Sequence, residues 1–295
     1  MVRVISIWLR AIRFKFLLAS IMAVSNGIAI AYWKTGRVDI SYAILTFFGI
    51  ACLHASVDLL NDYWDFKKGI DSVTKRTKFS GGTGVLPENL LKPKSLYAAG
   101  IIFLLLGVSI GSYFILVRGI PIAIILGFAT FAIYFYSISI INIGLGEVFV
   151  AIKGALIVIG TFYVQTGLIT PGSVYIGIIV GILSFTVLFI NSFPDYSADL
   201  SKGRRTLVIL LGKKRAARMF SVLILITYIL IIVGIILGYA RITSIICLWS
   251  VIFALKAIRQ LNRNYNNADK LEPGMSATIV YSRIVGFTIA LSMFF

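Results

Sequence analysis

Apolar runs of bilayer length recur along the whole chain. Segments near 16–33, 40–60, 95–117, 119–137, 146–166, 172–192, 218–239, 241–258 and 276–295 hold few charges or none. At about 1.5 Å per residue, a run of about twenty residues spans a hydrocarbon layer of about 30 Å. Val222 to Tyr239 contains no charge at all. No polar stretch between them is large enough to fold separately. The pattern predicts an all-α membrane protein of about nine transmembrane helices, one polytopic domain over 1–295.

Two of the polar breaks are long, 62–94 and 195–218. Both open with carboxylates and continue with Lys and Arg, and they follow the second and sixth predicted helices. The residues at their openings, Asn61 and Asn191, lie 130 positions apart. This predicts two parallel four-helix repeats, about 1–138 and 143–258, and a last helix at about 276–295. The long loops then become caps on one face, over a cavity where the halves meet. Glycines four apart, such as Gly177 and Gly181, are expected to let helices approach closely.

Composition agrees with a bilayer solvent. The 295 residues are 59% hydrophobic and 13% charged, against about 25% charged in a soluble domain. Mean hydropathy is +0.97. The first apolar run follows Arg3, Arg10, Arg13 and Lys15 without a small-residue cleavage site, so it is expected to be a retained helix. Cys52 and Cys247 fall inside apolar runs and read as small buried side chains. A net charge of +17 raises nucleic acid as a partner, but topology and anionic lipid explain it in so apolar a chain. With the N-terminus cytoplasmic, 22 basic residues fall on the cytoplasmic face and only Lys34, Arg37, Arg118 and Arg241 on the other. The positive-inside rule then predicts a multi-pass cell-membrane protein with its N-terminus and cap loops in the cytoplasm.

The acidic residues supply the candidate chemistry. Asp58, Asp62, Asp65 and Asp71 crowd the end of the second helix, and Asp195 and Asp199 close the sixth. Carboxylates this concentrated near a membrane need cations, and oxygen donors with neither His nor Cys among them suit a hard ion such as Mg²⁺. Asn61 and Asp65 are four apart, and Asn191, Asp195 and Asp199 repeat that step twice, so each set lies on one face of continuous helix. Pro194 is expected to kink or end the second of these helices. Mg²⁺ commonly shares its shell with substrate phosphates. Beside it, Lys67, Lys68, Lys75, Arg76, Lys78, Lys202, Arg204 and Arg205 are candidate contacts for a diphosphate.

The stretches NDYWDFKKGID, from Asn61, and NSFPDYSADLSKGRRTLVILLG, from Asn191, resemble the paired signatures of UbiA-type intramembrane prenyltransferases. WLRAIRFKFLLAS from Trp8, FSGGTGVL from Phe79 and GLGEVFVAIKGALIVIGTFYVQTG from Gly144 are similar to the dihydroxynaphthoate polyprenyltransferase branch of menaquinone synthesis. The resemblance implies two Mg²⁺ ions holding a prenyl diphosphate, an allylic carbocation and attack by an aromatic acceptor. It implies Asn61, Asp65, Asp71, Asn191, Asp195 and Asp199 as metal ligands. Asp62 is implied as a group supporting that set or facing the acceptor, Arg13 as a phosphate contact, and Tyr136 and Ser137 as neighbours of the reacting carbon. The catalytic set is then Asp62, Asp65, Asp195, Asp199 and Tyr136. The substrate-contact set is Arg13, Lys67, Lys75, Arg76, Ser137, Lys153, Lys202 and Arg204. Three features depart from common members: six positions rather than four separate Asp65 from Asp71, Phe14 and Phe16 replace a Pro and a Thr, and Asn142 stands where some members carry Lys.

Smaller signals extend the picture. His54 and Asp58 continue the polar face of the second helix by up to two turns. Lys153 lies within a span, where an ammonium faces protein or water, and is a candidate contact for acceptor or phosphate. Gly81 and Gly82 fall in the cap loop. A glycerophosphate lipid or a tetrapyrrole remains an alternative acceptor, and a secondary transporter is the rival from another class.

Overall fold

The computed structural model describes residues 2–295, with side chains from residue 4 onward, so the Arg3 side chain lies outside the described residues. Every regular element among them is helical. Eight helices are long and apolar enough to cross a membrane. In chain order these are α2 (Leu17–Thr35), α3 (Ile40–Lys67), α4 (Pro93–Arg118), α6 (Gly146–Thr166), α7 (Pro171–Ser201), α9 (Lys213–Ile236), a segment that opens as 3₁₀ turns at Ile242–Ser250 and continues as α10 (Val251–Asn264), and α11 (Glu272–Ser292). The other α-helices are α1 (Val2–Ala11), α5 (Ile120–Phe135) and the short α8 (Leu207–Leu211). At 16 residues, α5 is about 24 Å long, and it coincides with the predicted span near 119–137.

Two predicted boundaries shift, and both shifts matter for the site. α3 runs to Lys67 and α7 to Ser201, about two turns beyond the apolar runs that predict them. α7 passes through Pro194 without ending. The motif residues therefore project from continuous helix at the edge of the apolar layer. α1 is an element that hydropathy misses, because ten residues interrupted by Arg3 and Arg10 are too short and too polar to register as a span.

α6 and α7 cross closely because small residues line their contact. A Cβ on Gly181 would stand 2.6 Å from the Ala151 carbonyl oxygen, and one on Gly177 would stand 3.0 Å from that of Ala155. The main core is built by α2, α6, α7, α9, α10 and α11, with Phe162, Phe189, Phe193, Phe220 and Tyr281 fully buried. At the end remote from the long loops, polar clasps tie helix termini. Asp39 caps α3 through the Tyr42 amide at 2.9 Å, Gln165 accepts from the Asp39 amide at 2.9 Å, and Arg118 donates to the Val164 carbonyl at 2.8 Å.

Candidate active site

The C-terminal ends of α3 and α7 meet at one end of the bundle. Arg204, in the loop after α7, donates to Asp65 of α3 and, at 3.3 Å, to Asp199 of α7. Residues from the two signature stretches thus share one counter-ion. All three side chains are buried. Burial opposes the charge on Arg204, but Asp65 and Asp199 outweigh it and hold the guanidinium above its ordinary value.

These groups stand at the polar end of a cavity of about 300 Å³ whose other walls are largely apolar. Asn61, Asp65, Asn191, Asp195, Asp199, Arg13, Arg204 and Tyr136 line the polar end. Phe16, Ile133, Phe149, Ile157 and Leu188 line the remainder. Two buried oxygens in this wall, Asn191 Oδ1 and Asp195 Oδ1, have no hydrogen-bond partner. Buried acceptors are rarely left unpaired, and leaving one so costs about 1–3 kcal/mol. Oxygen donors without sulfur or imidazole, two of them unsatisfied, fit a hard cation such as Mg²⁺. Among the described residues no three His, Cys, Asp or Glu side chains close on one point, since Arg204 lies between Asp65 and Asp199. A tight set of carboxylates is thus not preassembled.

Arg204 accordingly does in this structure what a cation would do. Arg204→Met strands two buried carboxylates, and removing one partner of a buried ion pair costs about 3–5 kcal/mol. Thermal unfolding without divalent cations is expected to show that loss, with Mg²⁺ reversing much of it. An unchanged unfolding temperature contradicts the counter-ion role.

Asp62 is turned differently. It is 2% exposed and lies outside the cavity wall. One oxygen accepts from Arg13 Nη2 at 2.8 Å, and the other takes the Thr83 hydroxyl and, at 3.3 Å, the Thr83 amide. Asp62 therefore fixes Arg13 and the cap loop, as a positioning residue. Arg13 also reaches Asn61 Oδ1 at 3.5 Å, and Asn61 Nδ2 donates to Ser137 Oγ at 2.7 Å. Ser137 is thereby a support for Asn61, buried behind the cavity wall.

The cap is a folded strap. Arg10 donates to both Glu88 oxygens at 2.8 and 2.7 Å and to the Thr83 carbonyl at 2.7 Å, and Arg76 donates to Glu88 as well. Hydrogen bonds from Arg10, then Arg76, pull the Glu88 carboxyl down to about 2. Beneath the strap, Val85 and Leu86 pack on Ala11, Leu59 and Leu96. Phe79, Ser80, Gly81 and Gly82 are carried over the cavity. Gly82 has φ +74°, and a Cβ there would stand 2.8 Å from Asp71 Oδ1, so only glycine lets the strap pass the Asp71 carboxylate.

Several basic candidates are placed elsewhere. Lys67 is exposed over Trp64 at 5.0 Å. Lys75 pairs with Asp269 at 2.6 Å on the surface, Arg76 is held by Glu88, and Lys202 is exposed. None of the four lines the cavity. Lys68 instead locks α3 to the end of α5 through the Ser137 and Ile138 carbonyls at 2.5 and 3.0 Å. Thr83, Arg10 and Glu88 escape the sequence reading. The signal for Glu88 was available, because it and Asp71 are the only acids in the basic stretch from Lys67 to Lys94.

Comparison with known proteins agrees with this geometry. The model of the UbiA prenyltransferase family matches residues 19–275. The chain is 26% identical over 282 residues to the 1,4-dihydroxy-2-naphthoate octaprenyltransferase of Bacillus subtilis (strain 168), covering 94% of this chain and 88% of that protein. It is 28% identical over 259 residues to the enzyme of the same name from Escherichia coli (strain K12), covering 85% and 81%. Its fold superposes on a UbiA homolog from Archaeoglobus fulgidus, solved with GPP and Mg²⁺, with a TM-score of 0.70 at 17% identity over 97% of this chain and 99% of that one. A match of that extent, over a chain whose two acidic stretches meet at one cavity, places the protein in the UbiA prenyltransferase family.

Proposed function

We propose that the protein transfers a prenyl group from an isoprenyl diphosphate to an aromatic acceptor inside the membrane, with Mg²⁺ as the ion and a dihydroxynaphthoate-type quinone precursor as the acceptor. One arrangement carries this reading: side chains of α3 and α7, 130 positions apart in sequence, gather at the polar end of an otherwise apolar cavity. The naphthoate named in both relatives supports the choice of acceptor.

Asn61, Asp65 and Asp71 on one side, and Asn191, Asp195 and Asp199 on the other, would hold the ion. Mg²⁺ supplies electrostatic stabilisation to the charge that builds on a departing diphosphate. Arg13 and Arg204 donate to phosphate oxygens. The C1–O bond breaks with its electron pair leaving on the diphosphate, and the face of Tyr136 stabilises the allylic cation. Electrons of the acceptor ring form the new carbon–carbon bond, and the ring then sheds a proton. Phe149, Ile157 and Leu188 exclude water, which would otherwise trap the cation. The distribution of basic residues supports a cytoplasmic N-terminus and site.

Asp71 adds a pH dependence, since it lies in the loop after α3, outside the spans. Burial pushes its carboxyl up to about 7, and Asp65 and Asp62 push the same way. A cation must displace that proton, so apparent Mg²⁺ affinity is expected to fall by up to about tenfold per pH unit below 7 and to level off above it. Calorimetric titration from about pH 5.5 to 8.5 checks this; an affinity constant across the range removes Asp71 from the ligand set.

The overall reading is tested with purified protein, geranyl diphosphate and 1,4-dihydroxy-2-naphthoate. Mg²⁺-dependent pyrophosphate release that requires the acceptor is the expected result. Substrate uptake into liposomes without turnover favours the transporter, although carboxylates at helix ends rather than near the midplane already speak against it.

A further inference from the structure

We propose that Lys153 anchors an acidic group of the acceptor, with Asp58 and His54 receiving its ring hydroxyl; this rests on the prenyl-transfer reading above. Lys153 projects from α6 into the cavity. It also borders a second, apolar cavity of about 100 Å³ between α3, α4, α5 and α6, and no signature carboxylate lines that one. Asp58 of α3 lines the same cavity. Asp58 Oδ2 has no hydrogen-bond partner.

His54 completes the wall. Its Nδ1 is 2.8 Å from Ser20 Oγ, which fixes the ring. Its Nε2 stands 3.3 Å from Asp58 Oδ2, yet neither atom makes a hydrogen bond. A carboxylate oxygen and an imidazole nitrogen that make no hydrogen bond therefore line the same cavity as Lys153. Each is costly there without a ligand or a partner.

Position separates this wall from the diphosphate end. His54 precedes Asn61 by seven residues on α3, about 10 Å along the axis. A one- or two-ring acid fits the offset, with its carboxylate on Lys153, its hydroxyl at His54 and Asp58, and its ring beside the reacting carbon. Contact between Lys153 and diphosphate is the competing role.

The test uses full-length protein in nanodiscs, with Lys153→Met and Lys153→Arg. KM is measured for 1,4-dihydroxy-2-naphthoate and for 1,4-dihydroxynaphthalene, which lacks the carboxylate, and the Kd of geranyl thiodiphosphate with Mg²⁺ is measured alongside. Loss of an ion pair to the acid is expected to raise the ratio of acid KM to diol KM about tenfold or more in Lys153→Met. Lys153→Arg is expected to recover much of that ratio. An unchanged ratio overturns the proposal, as does a loss confined to thiodiphosphate binding, which assigns Lys153 to the phosphate instead. If Lys153→Met fails to fold, Lys153→Gln supplies the same ratio. Wild-type protein that prenylates neither acceptor, whatever the variants do, overturns the reading of a naphthoate-type acceptor itself.

Discussion

Asp195→Ala is expected to lower turnover by about a thousandfold or more while leaving the fold intact. A lost metal ligand removes several kcal/mol of stabilisation from a transition state that builds charge on diphosphate. The same substitution in the metal-free protein is expected to cost little stability, because Asp195 is only partly buried and its Oδ1 makes no hydrogen bond. That difference between turnover and stability separates a functional carboxylate from a structural one. Asp65→Ala is expected to match the loss of turnover, but it also takes a partner from Arg204, so its unfolding temperature falls. Steady-state pyrophosphate release and thermal unfolding of both variants check the pair. Turnover within tenfold of wild type in Asp195→Ala contradicts its role.

Asp62→Ala is expected to act by a different route. Asp62 ties Arg13 to the strap through Thr83, and its loss leaves the Arg13 guanidinium without its ion-pair partner. The Arg13 side chain is 25% exposed, so water offsets part of that loss and the penalty stays below the ~3–5 kcal/mol of a fully buried pair. Displacing the strap and Arg13 by about 1 Å is enough to cost on the order of a hundredfold in kcat. Mg²⁺ affinity is expected to change much less than kcat, because Asp62 does not line the cavity. Limited trypsin digestion gives an independent readout: Lys75, Arg76 and Lys78 sit on the strap, and cleavage there is expected to accelerate. Wild-type cleavage with wild-type kcat removes Asp62 from the positioning role.

The contrast between Asp62 and Asp65 shows what a sequence can carry. Helical phase turns Asp62 by about 100° from Asn61, while Asp65 returns close to the same face. The cavity-facing set was therefore legible once α3 was known to run unbroken to Lys67. Hydropathy gave the spans because a bilayer imposes length and polarity together. It missed α1, where neither constraint operates, and it underestimated α3 and α7, whose last turns leave the apolar layer.

The basic residues were not separable by the same means. Lys202, Arg204 and Arg205 are near neighbours of identical charge, and only the tertiary approach of α3 to α7 selects Arg204. Lys75 and Arg76 lie in a segment without periodicity, so their partners Asp269 and Glu88 could not be assigned from spacing. Pro194 does not end α7, for a local reason. Losing one hydrogen bond does not end a helix whose neighbours Phe193 and Asn191 are buried against other elements.

Crystals grown with Mn²⁺ and geranyl thiodiphosphate, measured at the manganese edge, test the convergence of the two acidic stretches most directly. Anomalous peaks at the polar end of the cavity, flanked by Asp65 oxygens from α3 and Asp195 oxygens from α7 and bridged by diphosphate, are the predicted outcome. Peaks contacted by one helix alone, or diphosphate seated away from both, contradict it.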